Sequence, residues 1–264
     1  MGFDVAADAY GRFMGRYSEP LAERFAAALG VSPGARALDV GCGPGALTAQ
    51  LVARLGADAV AAVDPSESFV AAARARFPGL RVDAAGAESL PFDDDAFDLT
   101  VAQLAVPFMS DPVAGLAEMA RVTRPGGGVA ASAWDHAGAG GPLRTFWRAV
   151  RDIDPAAPDE STLPGVREGH LAELFRGAGL EDVTAWSERV SAHYGAFDEW
   201  WQTYTLGVGP AGEHVAGLDD AGRDALRARC AELLPSAPFD VTAVAWCVRS
   251  RVQAGSVDAE RRAR

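Results

Sequence analysis

The chain has 264 residues, of which 49% are hydrophobic, and its formal net charge is −12. This length suits one α/β domain with insertions, and the hydrophobic share can supply a sizeable core. Every basic residue is an arginine, and 36 acidic residues face 24 basic ones. Because nucleic-acid binding depends on clustered basic groups that neutralise phosphates, this balance argues against a DNA or RNA substrate.

No stretch of the sequence approaches the roughly 20 apolar residues that a membrane-spanning helix needs. The N-terminus contains acids and lacks the apolar core of a secretion signal. Cys42, Cys230 and Cys247 are widely spaced and follow neither a disulfide nor a zinc pattern. We therefore expect a cytoplasmic protein with no metal site and no membrane partner, either a monomer or a homodimer.

The first predicted elements are a buried strand over 35–40 and a helix over 46–55, joined by a glycine-rich turn. Gly41, Gly43 and Gly45 alternate in this turn, which lets the backbone approach a bound molecule and present free N–H groups at the helix start. The spacing also fits the dinucleotide pattern G-x-G-x-x-G/A, so the loop alone leaves an NAD site open. Asp39 stands in the strand just before the turn, and a carboxylate there favours a ligand with an ammonium group.

Strands and helices continue to alternate, with strands predicted over 59–63, 99–104 and 129–134 and helices over 67–77 and 112–122. The first of these strands ends in Asp64, and Asp111 followed by Pro112 is a typical helix start. The alternation predicts a doubly wound parallel sheet with right-handed crossovers.

After Asp135 the pattern is less regular, and a glycine-rich stretch over 136–142 predicts a flexible hinge. Beyond it, the sequence predicts helices over 143–152, 170–179, 197–206 and 219–234, strands over 183–194 and 239–251, and a surface loop over 154–164. A second glycine-rich stretch, 207–212, separates the last two helices. Residues 253–264 are charged and unpatterned, so we expect a disordered tail.

Four short motifs follow one another along the first half of the chain. They are Asp39-x-Gly41-x-Gly43-x-Gly45, Asp64 at the next strand end, the segment 87–92 followed by Phe97 and Asp98, and the loop 121–127. Together they resemble the class I S-adenosylmethionine-dependent methyltransferases, especially the small-molecule group related to the ubiquinone and menaquinone enzymes (methyltransferase type 11). The resemblance implies a Rossmann-like α/β fold with a seven-stranded, mostly parallel sheet, an antiparallel last strand beside the sixth, and an inserted helical cover. It also implies S-adenosylmethionine as cofactor and S-adenosylhomocysteine as product.

The resemblance assigns roles on the cofactor side. It puts Asp39 near the ammonium group and Asp64 on the ribose hydroxyls, where a carboxylate accepts two hydrogen bonds. The other candidates are the backbone of Gly41, Gly43 and Gly45, the adenine neighbours Pro65, Phe69, Ala87 and Glu88, Gln103 at the methionine end, and Tyr17. Gln103 fits a buried structural amide equally well. The family usually has an Asp two residues before Glu88, where this chain has Gly86, so adenine recognition would depend on Glu88 or on backbone groups.

By the same resemblance, residues 1–34 form an N-terminal lid or helical segment and residues 35–252 the methyltransferase domain, with helical insertions at about 136–165 and 196–236. The alternative for the N-terminal segment is a helix packed on the outside of the sheet through Phe13 and Tyr17. Gly11 and Gly15 weaken a plain helix and favour the lid.

On the acceptor side, His136 directly follows the fifth strand and is the candidate general base, with a water-exposed loop histidine as the alternative. The aromatic candidates for acceptor binding are Phe108, Trp134, Trp147, Trp200 and Trp201. Trp200 and Trp201 are adjacent, so a helix cannot direct both toward one core, and at least one is expected to face the cleft or an interface. We expect the helices within 143–152 and 197–234 to form a mobile cover, hinged at the glycines around 138–141 and 207–212.

The leading hypothesis is therefore a methyltransferase that acts on a small, apolar or aromatic molecule. Three alternatives stay open. One is an enzyme of the same fold that uses the cofactor for pericyclic or decarboxylating chemistry. The others are an NAD-dependent oxidoreductase and a binding module without catalysis.

Overall fold

The computed structural model describes residues 7–138 and 140–253. Its first five strands are parallel: β1 (Ala37–Val40), β2 (Val60–Asp64), β3 (Arg81–Ala84), β4 (Phe97–Gln103) and β5 (Thr123–Trp134). With β6 (Thr184–Tyr194) and β7 (Phe239–Arg251) they form a seven-stranded sheet in the order β3-β2-β1-β4-β5-β7-β6. β7 runs antiparallel to both of its neighbours. The predicted fold is confirmed, including the antiparallel last strand beside the sixth.

Helices cover both faces of this sheet. They are α1 (Ala7–Tyr10), α2 (Arg16–Leu29), α3 (Ala46–Leu55), α4 (Glu67–Arg76), α5 (Pro112–Arg121), α6 (Arg144–Ile153), α7 (His170–Gly177), α8 (Phe197–Tyr204), α9 (Gly209–Gly217) and α10 (Asp220–Leu233). A π-helical segment, Gly11–Gly15, joins α1 to α2, and a 3-10 turn, Glu160–Thr162, lies between α6 and α7. Among the helices described, none combines the length and the apolar character needed to cross a bilayer.

β1 illustrates how the strands divide the core. All four of its residues are buried, with Ala37 in the apolar cluster on one face of the sheet and Leu38 and Val40 in the cluster on the other. A parallel strand covered on both faces needs apolar side chains on both, which accounts for the unbroken apolar run. Asp39 is the exception, and its side chain contacts Thr48 on α3.

Three elements differ from the prediction. β5 begins at Thr123, well before the predicted start at 129. β3 is only four residues long, too short to produce a clear periodic signal. α9 begins inside the glycine-rich stretch that predicted a break, and its Gly212 packs so closely that an added Cβ would lie 2.5 Å from the carbonyl carbon of Gly207. Pro210 occupies the first turn, where the missing N–H costs no helical hydrogen bond. Close packing overrides the weak helix propensity of glycine here.

The predicted tail over 253–264 lies outside the described residues except for Gln253, whose side-chain amide donates to Asp182. Residues 1–6 of the predicted N-terminal segment lie outside them as well.

Candidate functional site

The glycine loop brings the backbone of β1 against its neighbours at the carboxyl edge of the sheet. Gly41 and Gly45 have φ angles of 70° and 92°, a region that favours glycine. A Cβ on Gly41 would lie 2.4 Å from the Cβ of Ala105, and one on Gly45 would lie 2.4 Å from the Phe77 ring. Both positions therefore need glycine for conformation and for space.

Asp64, at the end of β2, is bound to this loop through its carboxylate. Its Oδ2 accepts a hydrogen bond from the N–H of Gly43 at 2.8 Å, and its Oδ1 accepts one from the N–H of Ser66 at 2.9 Å. Burial raises the pKa of Asp64, and the two backbone donors oppose that rise. The carboxylate is thus held in one orientation, and each oxygen keeps a further lone pair for a ligand.

Asp39 is a buried carboxylate with unused hydrogen-bonding capacity. Its Oδ2 accepts from the Thr48 hydroxyl at 2.6 Å, whereas its Oδ1 has no partner among the described residues. Burial raises the pKa of Asp39 to about 7, the Asp64 carboxylate adds to the rise, and the Thr48 hydroxyl opposes it. A buried acceptor without a donor is uncommon and points to a missing cation or water.

A cleft of about 680 Å³ opens beside these residues, at the carboxyl ends of β1, β2 and β4. Of the predicted cofactor-binding residues, its walls contain Gly41, Gly43, Asp64, Pro65, Phe69, Ala87, Glu88 and Gln103. The side-chain amide of Gln103 donates to the carbonyl of Ser18 at 2.9 Å, and its Oε1 has no partner in the described part of the chain. Gln103 therefore links the sheet to α2 and lines the cleft as well.

The carboxylate of Glu88 occupies the space beside Gly86. Its Oε2 would lie 3.1 Å from a Cβ on Gly86, and its Oε1 accepts from the N–H of Asp111 at 3.1 Å. An Asp at position 86 would place a second carboxylate against that of Glu88, and the two negative charges would repel each other. Gly86 and the position of Glu88 are thus complementary.

A second, smaller chamber of about 40 Å³ adjoins the cleft, and the two share Tyr10, Leu104 and Phe108 as walls. The other walls of the chamber are Phe13, Met14, Pro107, Trp134, His136, Leu143, Glu160, Val208, Gly209, Pro210 and Ala211. Most of these are apolar, so the ionisable side chains of His136 and Glu160 stand out. The N-terminal segment, the stretch after β5 and the start of α9 all contribute to the chamber.

Glu160 lies in the stretch that the sequence predicted as a surface loop, yet it is buried. Its Oε2 accepts from the indole N–H of Trp147 at 2.8 Å. Burial raises the pKa of Glu160 to about 7, and the bond from Trp147 opposes the rise. Sequence reasoning missed this residue because nothing in a proline- and acid-rich segment marks one acid as inward-facing.

His136 lies in the chamber wall and is half-buried, and its role as a general base stays a prediction. Burial lowers its pKa to about 4, while the nearby Asp159 carboxylate opposes the fall. The ring is therefore neutral near pH 7. Within the described ranges, no group of three or more His, Cys, Asp or Glu side chains is arranged to hold a metal ion.

Comparisons with known proteins agree with this geometry. A family model described as a methyltransferase domain matches residues 38–131. The uncharacterized protein Rv1405c of Mycobacterium tuberculosis is 31% identical over 184 residues, which cover 66% of this chain and 67% of that protein. A demethylmenaquinone methyltransferase of Renibacterium salmoninarum is 36% identical over 160 residues, covering 60% of this chain and 66% of that protein.

The fold has solved counterparts too. An N-methyltransferase of Haemonchus contortus, solved in complex with S-adenosylhomocysteine, has a TM-score of 0.57 at 18% identity and covers 95% of this chain and 58% of that one. The chain belongs to the class I S-adenosylmethionine-dependent methyltransferases. It is an enzyme of their small-molecule group.

In this methyltransferase, Tyr10 rather than Tyr17 reaches the cleft. Tyr17 is buried, its hydroxyl lies 3.1 Å from that of Tyr194, and it lines neither space. Tyr10 packs edge-on against Phe69, and burial together with the Asp64 carboxylate raises its pKa to about 12. Residues seven apart would share a face of a regular α-helix, but the π-helical segment between these two tyrosines changes that register.

The predicted roles of the tryptophans in acceptor binding also need correction. Phe108 and Trp134 line the chamber, whereas Trp147, Trp200 and Trp201 do not. Trp147 lies behind the wall and binds Glu160, and Trp200 and Trp201 are both buried around Tyr204. The expectation that at least one of the two adjacent tryptophans faces the cleft or an interface is wrong here, because α8 is covered by β6, by α9 and by the N-terminal segment, and both side chains are buried.

The glycine-rich stretch after β5 is anchored through Asp135. The carboxylate of Asp135 accepts from the N–H groups of Gly138 and Gly140 at 2.9 and 3.1 Å. A Cβ on Gly138 would lie 2.5 Å from both carboxylate oxygens. The glycines therefore serve a tight, hydrogen-bonded loop in this structure, and motion of the cover stays a prediction.

Proposed function

We propose that this enzyme binds S-adenosylmethionine in the cleft beside the glycine loop and methylates a small, apolar or aromatic acceptor that lies at the junction of the cleft and the chamber. The observation that carries the proposal is the shared boundary of the two spaces at Tyr10, Leu104 and Phe108. A methyl donor and an acceptor must come within bonding distance of each other. An acceptor that lies beside these three side chains would border a donor bound in the cleft.

The two aspartates support a cofactor with a ribose and an ammonium group. Asp64 is held by two backbone donors and lines the cleft, so its carboxylate is ready to accept from the two hydroxyls of a ribose. Asp39 is buried below the wall of the cleft, and its Oδ1, which has no partner among the described residues, would favour an ammonium group by its charge or through a water molecule. An anionic pyrophosphate would gain nothing from that carboxylate, which weighs against NAD.

Glu88, Phe69 and Pro65 support an adenine site on the other side of Asp64. All three line the cleft, and the phenylalanine and proline offer apolar contact to a flat ring. We assign Glu88 to the adenine amino group, because its carboxylate lies beside Gly86, where relatives usually carry the acid. A glutamate two residues later would thus replace the usual aspartate.

When bound, the cofactor supplies an electrophilic methyl group on sulfur. The contribution of the chain is alignment of the acceptor and exclusion of water, which Phe108, Leu104 and Tyr10 provide at the junction. His136 is neutral near pH 7 and can orient an acceptor through its ring nitrogens, but its lowered pKa makes it a weak base.

Calorimetry tests the cofactor part of this proposal. We expect S-adenosylmethionine and S-adenosylhomocysteine to bind and NAD to show no detectable heat. Asp64→Ala should cost about 2–4 kcal/mol of S-adenosylhomocysteine affinity, because two charge-assisted hydrogen bonds are lost. Asp83→Ala removes a carboxylate from the neighbouring strand β3, outside the cleft, and serves as the control. NAD binding without S-adenosylhomocysteine binding would refute the proposal. An unchanged dissociation constant for Asp64→Ala would show that the ribose is not bound by Asp64.

A further inference from the structure

The chamber contains a carboxylate whose hydrogen-bonding capacity is only half used. Glu160 is 4% exposed, and its one side-chain hydrogen bond within the described residues comes from Trp147 to Oε2. Its Oε1 has no donor there. An ionised carboxylate in an apolar wall is costly unless a donor or a cation compensates it, so a further donor at Oε1 would stabilise the ionised form of Glu160.

Among the described residues, the charged groups named here around Glu160 do not supply a free cation. Asp159, the next residue, is paired with Arg151, so that arginine is already engaged. His136 faces the chamber from the end of β5 as a neutral ring, and His214 of α9 packs edge-on against the Trp147 ring at 5.9 Å. A hydroxyl or amino group of a bound ligand would supply the donor that Oε1 lacks among the described residues.

We propose that the acceptor is a flat, conjugated molecule with a hydroxyl group, a phenol or an enol, and that Glu160 accepts its proton during methyl transfer. The inference rests on the proposed function, because the methyl group comes from the adjoining cleft. The aromatic walls Phe108 and Trp134 suit a flat ring. A hydroxyl can also accept a hydrogen bond, for instance from the neutral ring of His136 in the same wall, whereas an ammonium group cannot.

The chemistry of Glu160 suits this role. Its pKa of about 7 makes it a stronger base than an ordinary carboxylate. Phenolic hydroxyls ordinarily have a pKa of about 10, so transfer to Glu160 becomes favourable as the oxygen gains its new bond.

The step balances in atoms and charge. The hydroxyl proton passes to Glu160, and an electron pair of the oxygen forms the bond to the methyl carbon. The carbon–sulfur bond breaks and leaves its electron pair on sulfur. A positive sulfonium and a negative carboxylate are thereby replaced by a neutral thioether, a neutral methyl ether and a protonated Glu160, which returns its proton to water.

Simple fluorinated probes test the inference without turnover. The enzyme is titrated with 4-fluorophenol, 4-fluoroaniline and 4-fluorotoluene, with and without S-adenosylhomocysteine, and binding is followed by ¹⁹F NMR. We expect 4-fluorophenol to bind about tenfold more tightly than 4-fluorotoluene, because it gains a charge-assisted hydrogen bond. Glu160→Gln should remove most of this preference and leave 4-fluorotoluene binding unchanged. The fold should tolerate the change, since an amide oxygen still accepts from Trp147.

The matched control is Glu188→Gln. Glu188 also accepts an indole N–H, from Trp186 at 3.0 Å, but it lies half-buried on β6 and outside the chamber. This variant should keep the full preference for 4-fluorophenol. A preference that survives Glu160→Gln, or equal binding of the phenol and the toluene by the parent, would overturn the inference. If 4-fluoroaniline bound most tightly of the three probes, the inferred hydroxyl group would be wrong and the acceptor group would be an amine.

A pH profile separates a role in proton acceptance from a merely structural one. The preference for 4-fluorophenol should rise as the pH passes through about 7, where Glu160 ionises. Trp147→Phe removes the N–H that stabilises the carboxylate, so the midpoint should move to higher pH. A flat profile would contradict the inference. Failure of the proposed function has a different signature, the absence of S-adenosylhomocysteine binding in calorimetry.

Discussion

Glu160→Gln should make the enzyme more stable than its parent at high pH, by an amount that grows with pH. Glu160 has a pKa of about 7 in the folded chain, against an ordinary value of 4.5. Between these two values the unfolded chain has lost the proton while the folded chain still binds it. Raising the pH through this window therefore favours unfolding, and the loss is complete above the folded pKa. A glutamine does not titrate and escapes this loss.

The structure gives the size of the effect. Each unit by which folded and unfolded pKa differ corresponds to about 1.4 kcal/mol. For a side chain that is 4% exposed, solvent screening requires no discount. The full difference is then about 3 kcal/mol, and about 2–3 kcal/mol of it should develop between about pH 5 and pH 8.5.

Urea unfolding of parent and variant across this pH range measures the effect. The useful quantity is the difference between the two free energies of unfolding at each pH, because Asp39 and the other titrating groups are common to both proteins. Glu188→Gln is the control, since it removes a half-buried carboxylate with a similar indole partner. A difference that changes by less than about 1 kcal/mol over the range would refute the reasoning, because Glu160 would then be solvated in the folded chain.

Two further pairs of variants test the packing of the site. Gly41→Ala should cost about 2–4 kcal/mol of stability in urea unfolding, because it combines a positive φ with a clash against Ala105. Gly30→Ala, with a similar φ and open space around it, should cost only about 1 kcal/mol, and equal costs would exclude the clash. Trp201→Ala should cost about 3–5 kcal/mol of stability because it empties a buried site. Phe108→Ala should instead weaken 4-fluorophenol binding at a smaller cost in stability. If Trp201→Ala weakened 4-fluorophenol binding and Phe108→Ala did not, Trp201 and not Phe108 would contact the acceptor.

The sequence alone determined the cofactor half of the molecule. The strand before Gly41, the helix after Gly45 and the strand that ends in Asp64 were predicted within a residue or two, because each depends on neighbours in the chain. A buried parallel strand has an apolar run, a turn with positive φ needs glycine, and a carboxylate at a strand end lies at the carboxyl edge of the sheet. The same order of motifs was sufficient to predict the family.

Only the tertiary structure decided the half of the molecule where we propose that the acceptor binds. Tyr10, Glu160 and the start of α9 are far apart in the chain, and their meeting in one chamber depends on how the N-terminal segment and the insertions pack over the sheet. The burial of Glu160 and of both adjacent tryptophans follows from surfaces contributed by other elements. Local propensity carries no information about such surfaces, so a buried acid in a proline-rich loop and a helix that starts at glycines could not be predicted from their own residues.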